Sequence, residues 1–333
     1  MDIYPTPKVE LHLHLDCCLS YQAVRTLDPS VTLVEYRREF IAPARCSSLA
    51  DYLRYPPRSV SLLQTQDALC LAVDDLFEQL AADRIVYAEI RFAPFLHTAK
   101  GLSLHCIVET VEQAVTNAIA HTGIESRLIL CTMRHVTADL SLQVGRLVTD
   151  FQGSLVAAID IAGDEAGHSL DPHVAAFRWV GEHGMSITAH AGEALGPESV
   201  WETLVKLNPT RIGHGVRSIE DPQLVSHLAH QGIHLEVCPS SNLQTGVCST
   251  IEEHPIDRLY RQGVSLSLST DTRTITDITL EQEYAKVRAA FLWTPEDFLA
   301  SNLSAVSASF APQEVKEQVR QRLISGYASA TNS

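Results

Sequence analysis

Histidine and carboxylate side chains recur in this sequence at spacings that suit a metal site. His12 and His14 are separated by one residue, so in an extended strand both side chains point to the same face. Two more histidines, His190 and His214, lie in the short segments HAGE and GHG, and Asp271 ends the run VSLSLSTD. Imidazole nitrogen and carboxylate oxygen are donors that Zn²⁺ accepts readily. We therefore expect a site for a divalent ion.

Eight short segments with apolar or alternating patterns predict the strands that would position these residues. They lie at residues 9–16, 85–94, 126–134, 155–165, 186–193, 211–215, 233–239 and 264–271, and helical patterns separate them. Strands that alternate with helices favour an α/β fold with a parallel sheet, closed as a (β/α)₈ TIM-type barrel. Such barrels hold their chemistry at the carboxyl ends of the strands. His14, His190, His214 and Asp271 fall at or near predicted strand ends.

Two segments exceed the regular repeat. Residues from about 29 to 65 follow the first strand and are too long for a plain connection, so we expect a lid-like helical insertion over the barrel mouth. Residues from about 294 to 327 carry patterns of additional C-terminal helices. Because no linker composition divides the chain, residues 1–333 are predicted to form one barrel domain.

The composition excludes several classes of protein. The chain has 333 residues, and 25 Lys and Arg against 40 Asp and Glu leave a net charge of −15. This acidity argues against nucleic acid and anionic membrane as partners, and no apolar run reaches the roughly 18 residues that span a bilayer. The first residues show no signal-peptide pattern, and the eight cysteines are scattered. We expect a cytoplasmic protein with reduced thiols.

The other histidines in loops and helical patterns are expected to be solvated. They are His97, His105, His121, His168, His173, His183, His227, His230 and His254.

An ordered set of motifs resembles the adenosine deaminase family of metal-dependent amidohydrolases. The motifs are LHLHLD, IDIAGDE, HAGE, RIGHG, EVCPSSN and STD, and the similarity extends from about residue 7 to 327. The resemblance implies a zinc-dependent hydrolase that converts adenosine or deoxyadenosine to inosine or deoxyinosine and ammonia. Adenine, a nucleotide and aminodeoxyfutalosine are the other 6-aminopurine substrates to consider.

The same resemblance implies roles for the metal-binding and reacting groups. One zinc ion per chain would be held by four ligands: His12, His14, His190 and Asp271. Glu193 would donate a proton to purine N1, and His214 would orient and deprotonate the attacking water. With Asp271 these two residues form the expected catalytic set.

Substrate contacts and one supporting residue also follow from the resemblance. Gly163 would offer its backbone N–H to purine N3, and Asp16 would bind the ribose hydroxyl end. Glu236, on the next strand, would orient His214, although an inward-facing Glu could equally be a structural hydrogen-bond partner.

The expected chemistry places a requirement on Glu193. Zinc lowers the pKa of a bound water to about 7, so a nucleophile is available at neutral pH. Attack at purine C6 also requires that electron density be drawn from the ring, and protonation of N1 does this. Glu193 must then be neutral in the complex, so we expect burial to raise its pKa.

The chain departs from the family pattern at two positions. Cys17 follows Asp16 where the family usually has glycine, which adds a side chain beside the expected sugar pocket. Thr272 follows Asp271 where the family usually has a second acid that contacts purine N7. A threonine hydroxyl can donate a hydrogen bond at any pH, so we expect Thr272 to serve N7 directly or through a water.

The sequence disfavours three alternative interpretations. Binuclear amidohydrolases use a modified lysine at the end of strand four, and none of the five lysines of this chain lies there. Cytidine-deaminase zinc sites use H-x-E with P-C-x-x-C, which is absent from the sequence. A non-catalytic purine-binding barrel is disfavoured because each expected catalytic position holds a competent residue.

A phosphorylated substrate would need cationic partners, which Arg54, Arg58 or Arg273 could supply.

Overall fold

The computed structural model describes residues 6–331, and eight parallel strands form its centre. They are β1 (Lys8–His14), β2 (Ile85–Phe92), β3 (Glu125–Met133), β4 (Val156–Ala162), β5 (Ser186–Ala191), β6 (Arg211–His214), β7 (His234–Val237) and β8 (Leu266–Leu268). Each strand pairs with the next in chain order. Between β8 and β1, the Asp271 N–H donates to the His12 carbonyl at 3.0 Å, and the Asp271 carbonyl accepts from the His14 N–H at 2.8 Å. These bonds nearly close the sheet, and the predicted (β/α)₈ barrel is confirmed.

Helices follow every strand. They are α1 (Tyr21–Leu27), α2 (Leu33–Glu39), α3 (Leu49–Tyr52), α4 (Pro56–Leu62), α5 (Gln66–Ala82), α6 (Leu104–Thr122), α7 (Ala138–Asp150), α8 (Val174–Glu182), α9 (Pro197–Leu207), α10 (Pro222–Gln231), α11 (Pro239–Gln244), α12 (Ile256–Arg261), α13 (Leu280–Phe291), α14 (Pro295–Ala308) and α15 (Gln313–Thr331). Their starts show the expected chemistry. The Ser103 and Thr137 side chains cap α6 and α7, and Pro197 and Pro222 begin α9 and α10, where a missing N–H costs no hydrogen bond.

Most strands end earlier than the sequence pattern predicted. The fourth strand was expected to reach residue 165 and the eighth residue 271, but β4 ends at Ala162 and β8 at Leu268. Gly163 and Asp271 both have positive φ, +102° and +65°, which no strand accommodates. The chain therefore turns immediately beyond the strands, and the polar side chains that follow are presented at the barrel mouth.

The two segments outside the repeat occupy different parts of the barrel. Helices α2, α3 and α4 lie within residues 29–65, and several side chains of α3 and α4 line the pocket at the mouth. At the carboxyl end, Val306 of α14 and Val319 of α15 pack in one buried cluster with Val9 and Leu11 of β1. Within residues 6–331, no helix is long and apolar enough to cross a membrane.

The interior of the barrel is polar rather than apolar. Five fully buried charged side chains of its strands are joined by ion pairs: Glu89, Arg91, Asp160, Arg211 and Glu236. Arg91, for example, contacts both Asp160 and Glu236. Buried charges require such pairing, so the side chains under the mouth are held by a connected network.

Candidate active site

Imidazoles and a carboxylate converge at the carboxyl ends of β1, β5, β6 and β8. Ligand-type atoms of His12, His190, His214 and Asp271 all lie within 4.8 Å of one another. His14 adjoins this cluster, with its Nε2 3.3 Å from His190 Nε2 and 3.4 Å from Asp271 Oδ1. The structure thus brings together the four expected metal ligands and places His214 beside them.

The spacing of these atoms fits a tetrahedral ion. Ligands about 2.0–2.1 Å from such an ion are separated from one another by roughly 3.3–3.4 Å. The two His14 distances have this size, and so does the 3.4 Å between His12 Nε2 and Asp271 Oδ1. His12 Nε2 is buried without a hydrogen-bond partner among the described residues, which leaves it free to ligate. A Cβ at Gly213 would lie 2.8 Å from His12 Cε1, so the glycine makes room for this ring.

The protonation states of the histidines also suit a metal site. Burial lowers the pKa of His14 to about 3 and lowers the pKa of His190 below its ordinary value. Burial and Arg91 oppose the charged form of His12, yet the Asp271 and Glu236 carboxylates raise its pKa. A cation would therefore compete with a proton for His12, and His14 and His190 are neutral at pH 7 as ligands must be.

Two buried carboxylates hold the outer nitrogens of the ligand rings. Glu236 Oε2 lies 2.8 Å from His12 Nδ1, and Asp160 Oδ1 lies 3.1 Å from His190 Nδ1. Arg91 donates to both carboxylates, at 2.8 Å to Asp160 and 2.6 Å to Glu236. Such partners orient a metal-bound imidazole. Asp160 and Arg91 were not predicted as site residues from the sequence. Both are charged residues within otherwise apolar strands, and that pattern could have identified them.

The prediction that Glu236 orients His214 is wrong. Glu236 lies in the middle of β7 and points into the barrel centre, where it meets His12, Arg91 and Arg211. His214 is the last residue of β6, has φ +60°, and its ring lies above that layer. Its Nδ1 instead contacts Asn242 Nδ2 of α11 at 3.1 Å.

A chain of three hydrogen bonds determines which nitrogen of neutral His214 carries the proton. The Ile256 N–H donates to His254 Nδ1 at 3.1 Å, so His254 Nε2 is protonated and donates to Asn242 Oδ1 at 3.2 Å. The Asn242 amide then donates to His214 Nδ1. Burial holds the pKa of His214 well below its ordinary value, so the neutral ring presents Nε2–H to the pocket. His254 is therefore a buried structural partner rather than a solvated residue.

Glu193 is buried at the mouth, 7% exposed, in the loop between β5 and α9. Its Oε2 lies 3.6 Å from His214 Nε2. Burial raises the pKa of Glu193 well above its ordinary value, and the nearby charges of Asp271 and Glu165 act in the same direction. A carboxyl with these surroundings is suited to donate a proton.

These groups line one pocket at the barrel mouth, where small-molecule sites of such barrels lie. Asp16 lies on one wall, 3.6 Å from the Nε2 of His97, and Cys17 Sγ donates to its Oδ1 at 3.6 Å. Gly163 contributes the wall beyond β4. His97 and His173, both expected to be solvated, are fully buried, and each ring hydrogen-bonds to a backbone carbonyl, that of Leu63 or Arg134.

Thr272 lines the pocket as part of a triangle of hydroxyls. Thr272 Oγ1 contacts the Tyr52 hydroxyl and lies 2.8 Å from Thr276 Oγ1. The third side of the triangle is the 3.2 Å between the Tyr52 hydroxyl oxygen and Thr276 Oγ1. Tyr52 belongs to α3, so these bonds join the insertion to the loop after β8. The sequence suggested no role for Tyr52, because a tyrosine at helical spacing is ordinarily a core residue.

Comparison of the sequence with known proteins identifies relatives over almost the whole chain. A sequence model described as adenosine deaminase matches residues 7–326. An adenosine deaminase of Lacticaseibacillus casei is 35% identical over 332 residues, covering 98% of both chains.

Solved structures share the fold at lower sequence identity. Adenine deaminase from Arthrobacter aurescens has a TM-score of 0.88 at 23% identity, covering 96% of this chain and 98% of its own. An amidohydrolase from Burkholderia ambifaria with bound zinc has a TM-score of 0.90 at 20% identity, covering 98% and 92%.

Proposed function

Given that this chain belongs to the adenosine deaminase family, we propose that it hydrolyses adenosine and deoxyadenosine. Water adds at purine C6, the C6–amino bond breaks, and the products are inosine or deoxyinosine and ammonia. The observation that carries this proposal is the convergence of a metal-type cluster, a buried carboxyl and a histidine on one pocket. The protein is a hydrolytic enzyme whose family depends on zinc.

The residues that would hold the ion are His12, His14, His190 and Asp271. Bound there, zinc supplies a water with a pKa near 7. Asp271 receives a hydrogen bond from Ser241 at 2.7 Å on its other oxygen, which fixes the carboxylate. His214 is left to face the pocket beside Glu193.

Glu193 and His214 would divide the proton chemistry. Glu193, kept neutral by burial, donates its proton to purine N1 and so makes C6 electrophilic. His214 presents Nε2–H, because Asn242 occupies Nδ1. We therefore propose that His214 orients the attacking water by donating a hydrogen bond to its oxygen. One proton of that water then leaves with ammonia, and the other replaces the proton that Glu193 gave to N1.

The side of the pocket formed by Asp16 and Gly163 favours a nucleoside over a nucleotide as substrate. Asp16 would accept from ribose hydroxyls, and Gly163 would offer its N–H to purine N3. Among the described residues that line the pocket, none is Lys or Arg. The three arginines considered from the sequence pair elsewhere: Arg54 with Asp51, Arg58 with Asp28 and Glu39, and Arg273 with Glu10 and Asp83. Within this pocket a phosphate would therefore lack a Lys or Arg partner and would face acidic groups, whereas the adjoining cavity beyond Gly163 contains Lys100.

A substrate panel tests this proposal. Adenosine, deoxyadenosine, adenine, AMP and aminodeoxyfutalosine are offered to the zinc-loaded protein, and ammonia release is measured for each. We expect the two nucleosides to give the highest kcat/KM and AMP to be disfavoured by at least tenfold. A preference for AMP would contradict the assignment of the Asp16 wall, and a preference for adenine would contradict ribose binding.

Thr272 is expected to contribute modestly to binding through purine N7. Each of the three hydroxyls has a single proton. To donate that proton to N7, Thr272 must therefore give up the hydrogen bond that it donates within the triangle. A neutral hydrogen bond contributes about 0.5–1.5 kcal/mol, so Thr272→Val should lower kcat/KM for adenosine roughly three- to tenfold. The parent should prefer adenosine over 7-deazaadenosine, measured as the ratio of the KM for adenosine to the inhibition constant of 7-deazaadenosine. Thr272→Val should lose this preference.

Thr276→Val is the matched control for this experiment. It removes a hydroxyl from the same triangle, but Thr276 does not contribute to the pocket wall. The preference for adenosine should survive in it. If the parent and Thr272→Val discriminate equally between the two compounds, Thr272 does not contact N7.

We also propose that the enzyme acts in the cytoplasm. All eight cysteines are free thiols, which is typical of reducing compartments.

A further inference from the structure

Glu165, the last residue of the IDIAGDE motif, is a buried carboxylate to which the proposed chemistry assigns no role. It is 4% exposed and lies in the loop after β4. Its two oxygens accept five hydrogen bonds from the segment after β5: Gly192 N at 2.7 Å, Glu193 N at 3.0 Å, Ala194 N at 2.6 Å, Leu195 N at 3.0 Å and Ser199 Oγ at 2.5 Å.

The four amides belong to a segment that regular structure leaves without partners. The ladder between β5 and β6 ends at Ala191, and α9 begins at Pro197. Gly192 turns the chain with φ +67°, and a Cβ there would lie 2.6 Å from Val200 Cγ2. Residues 192–195 are therefore neither strand nor helix, and the Glu165 carboxylate supplies the acceptors that their N–H groups require.

The charge of Glu165 is satisfied by these four amides and the Ser199 hydroxyl. Among the described residues it forms no ion pair, although Arg134 lies nearby and donates instead to the His190 carbonyl at 3.0 Å. A concave set of backbone N–H groups is a recognised binding arrangement for an anion, and charge-assisted bonds of this type are stronger than neutral ones. The carboxylate thus holds the backbone of Glu193 and of the residues on both sides of it.

We propose that Glu165 is a positioning residue that fixes the loop 192–195 so that the Glu193 carboxyl faces purine N1. This inference rests on the proposed role of Glu193 as the acid. Glu165 contacts neither the expected ligands nor the pocket, so its effect is transmitted through the Glu193 backbone. Displacement of a reacting group by about 1 Å can cost roughly 100-fold in rate. Arg217 donates to the Gly192 and Ala194 carbonyls of this loop, but among the described residues Glu165 is the acceptor for the N–H groups of residues 192–195.

The first test is Glu165→Gln, which preserves shape but places an amide NH₂ where one oxygen accepted hydrogen bonds. We expect kcat for adenosine to fall by about 10- to 100-fold, with KM within threefold of the parent and zinc content unchanged. Hydrogen exchange of the amides at 192–195 should accelerate. The matched control is Glu198→Gln, because exposed Glu198 accepts only one N–H of this loop, from Gly196 at 3.1 Å; its kcat and amide exchange should match the parent.

A double variant separates positioning from general structural support. If Glu165 acts through Glu193, then Glu165→Gln combined with Glu193→Gln should be no slower than Glu193→Gln alone. The inference is overturned if the losses in kcat of the two single variants multiply in the double variant, or if kcat is unchanged in Glu165→Gln. Should Glu165→Gln not fold, Glu165→Asp, which keeps the charge but is shorter, should show the same fall in kcat at constant KM, and an unchanged kcat there would equally overturn it. If Glu193→Gln itself retains full activity, the proposed acid is wrong, and that failure is recognised independently of Glu165.

Discussion

Glu193→Gln is expected to lower kcat for adenosine by at least 10²- to 10⁴-fold while zinc remains bound. The amide has nearly the same shape as the carboxyl, so the pocket and the metal cluster should persist. It cannot deliver a proton to N1, and without that proton C6 is a poor electrophile. Burial and the neighbouring acids favour the neutral form of the parent side chain, so its replacement by a neutral amide should change the binding of adenosine little.

Steady-state kinetics and elemental analysis of the same preparation check this expectation. The control is Glu198→Gln, an equivalent substitution of an exposed carboxylate in the first turn of α9. A Glu193→Gln protein with kcat within a few-fold of the parent would show that N1 is protonated by another group.

His12→Ala and Asp271→Ala are expected to abolish both zinc binding and deamination. Each removes one of the four atoms whose mutual spacings fit a tetrahedral ion. Loss of an outer-shell partner costs about 10- to 100-fold in metal affinity, and loss of a ligand should exceed this. The buried network beneath them would also lose a partner, since Glu236 and Ser241 hold these two side chains.

Zinc content after gel filtration, measured together with activity, checks the second prediction. The parent should hold one zinc per chain, and each variant should hold almost none. His105→Ala is the matched control, because His105 is an exposed histidine paired only with Asp150, and it should retain metal and activity. Two metals per chain in the parent, or full activity in a metal-free variant, would contradict the single-ion site.

The sequence was sufficient to predict the barrel and the convergence of the chemical groups. Alternation places His12 and His14 on one face, and parallel strands bring their carboxyl ends to one rim. His190, His214 and Asp271 could therefore be assigned to one site without coordinates. The positive φ of His214 and Asp271 was not visible in the sequence, because glycine usually marks such positions. The strand ends were accordingly placed too late.

Contacts between distant loops could not be predicted in the same way. Glu236 was assigned to the nearest histidine in strand order, but its depth along β7 brings it to His12 instead. The bonds of His254 with Asn242 and of Tyr52 with Thr272 join segments whose approach depends on how α11 and α3 pack. Glu165 stood within a recognised motif, yet its five partners became apparent only from the conformation of residues 192–195.

The most direct test of the proposed function is the reaction of the zinc-loaded chain with adenosine. Ammonia and inosine are measured in parallel, before and after removal of the metal with a chelator and its restoration with zinc. We expect inosine and ammonia to form in equal amounts, activity to disappear with the metal, and zinc to restore it. Adenosine that binds without releasing ammonia from the zinc-loaded protein would contradict the account and would identify the chain as a purine-binding barrel.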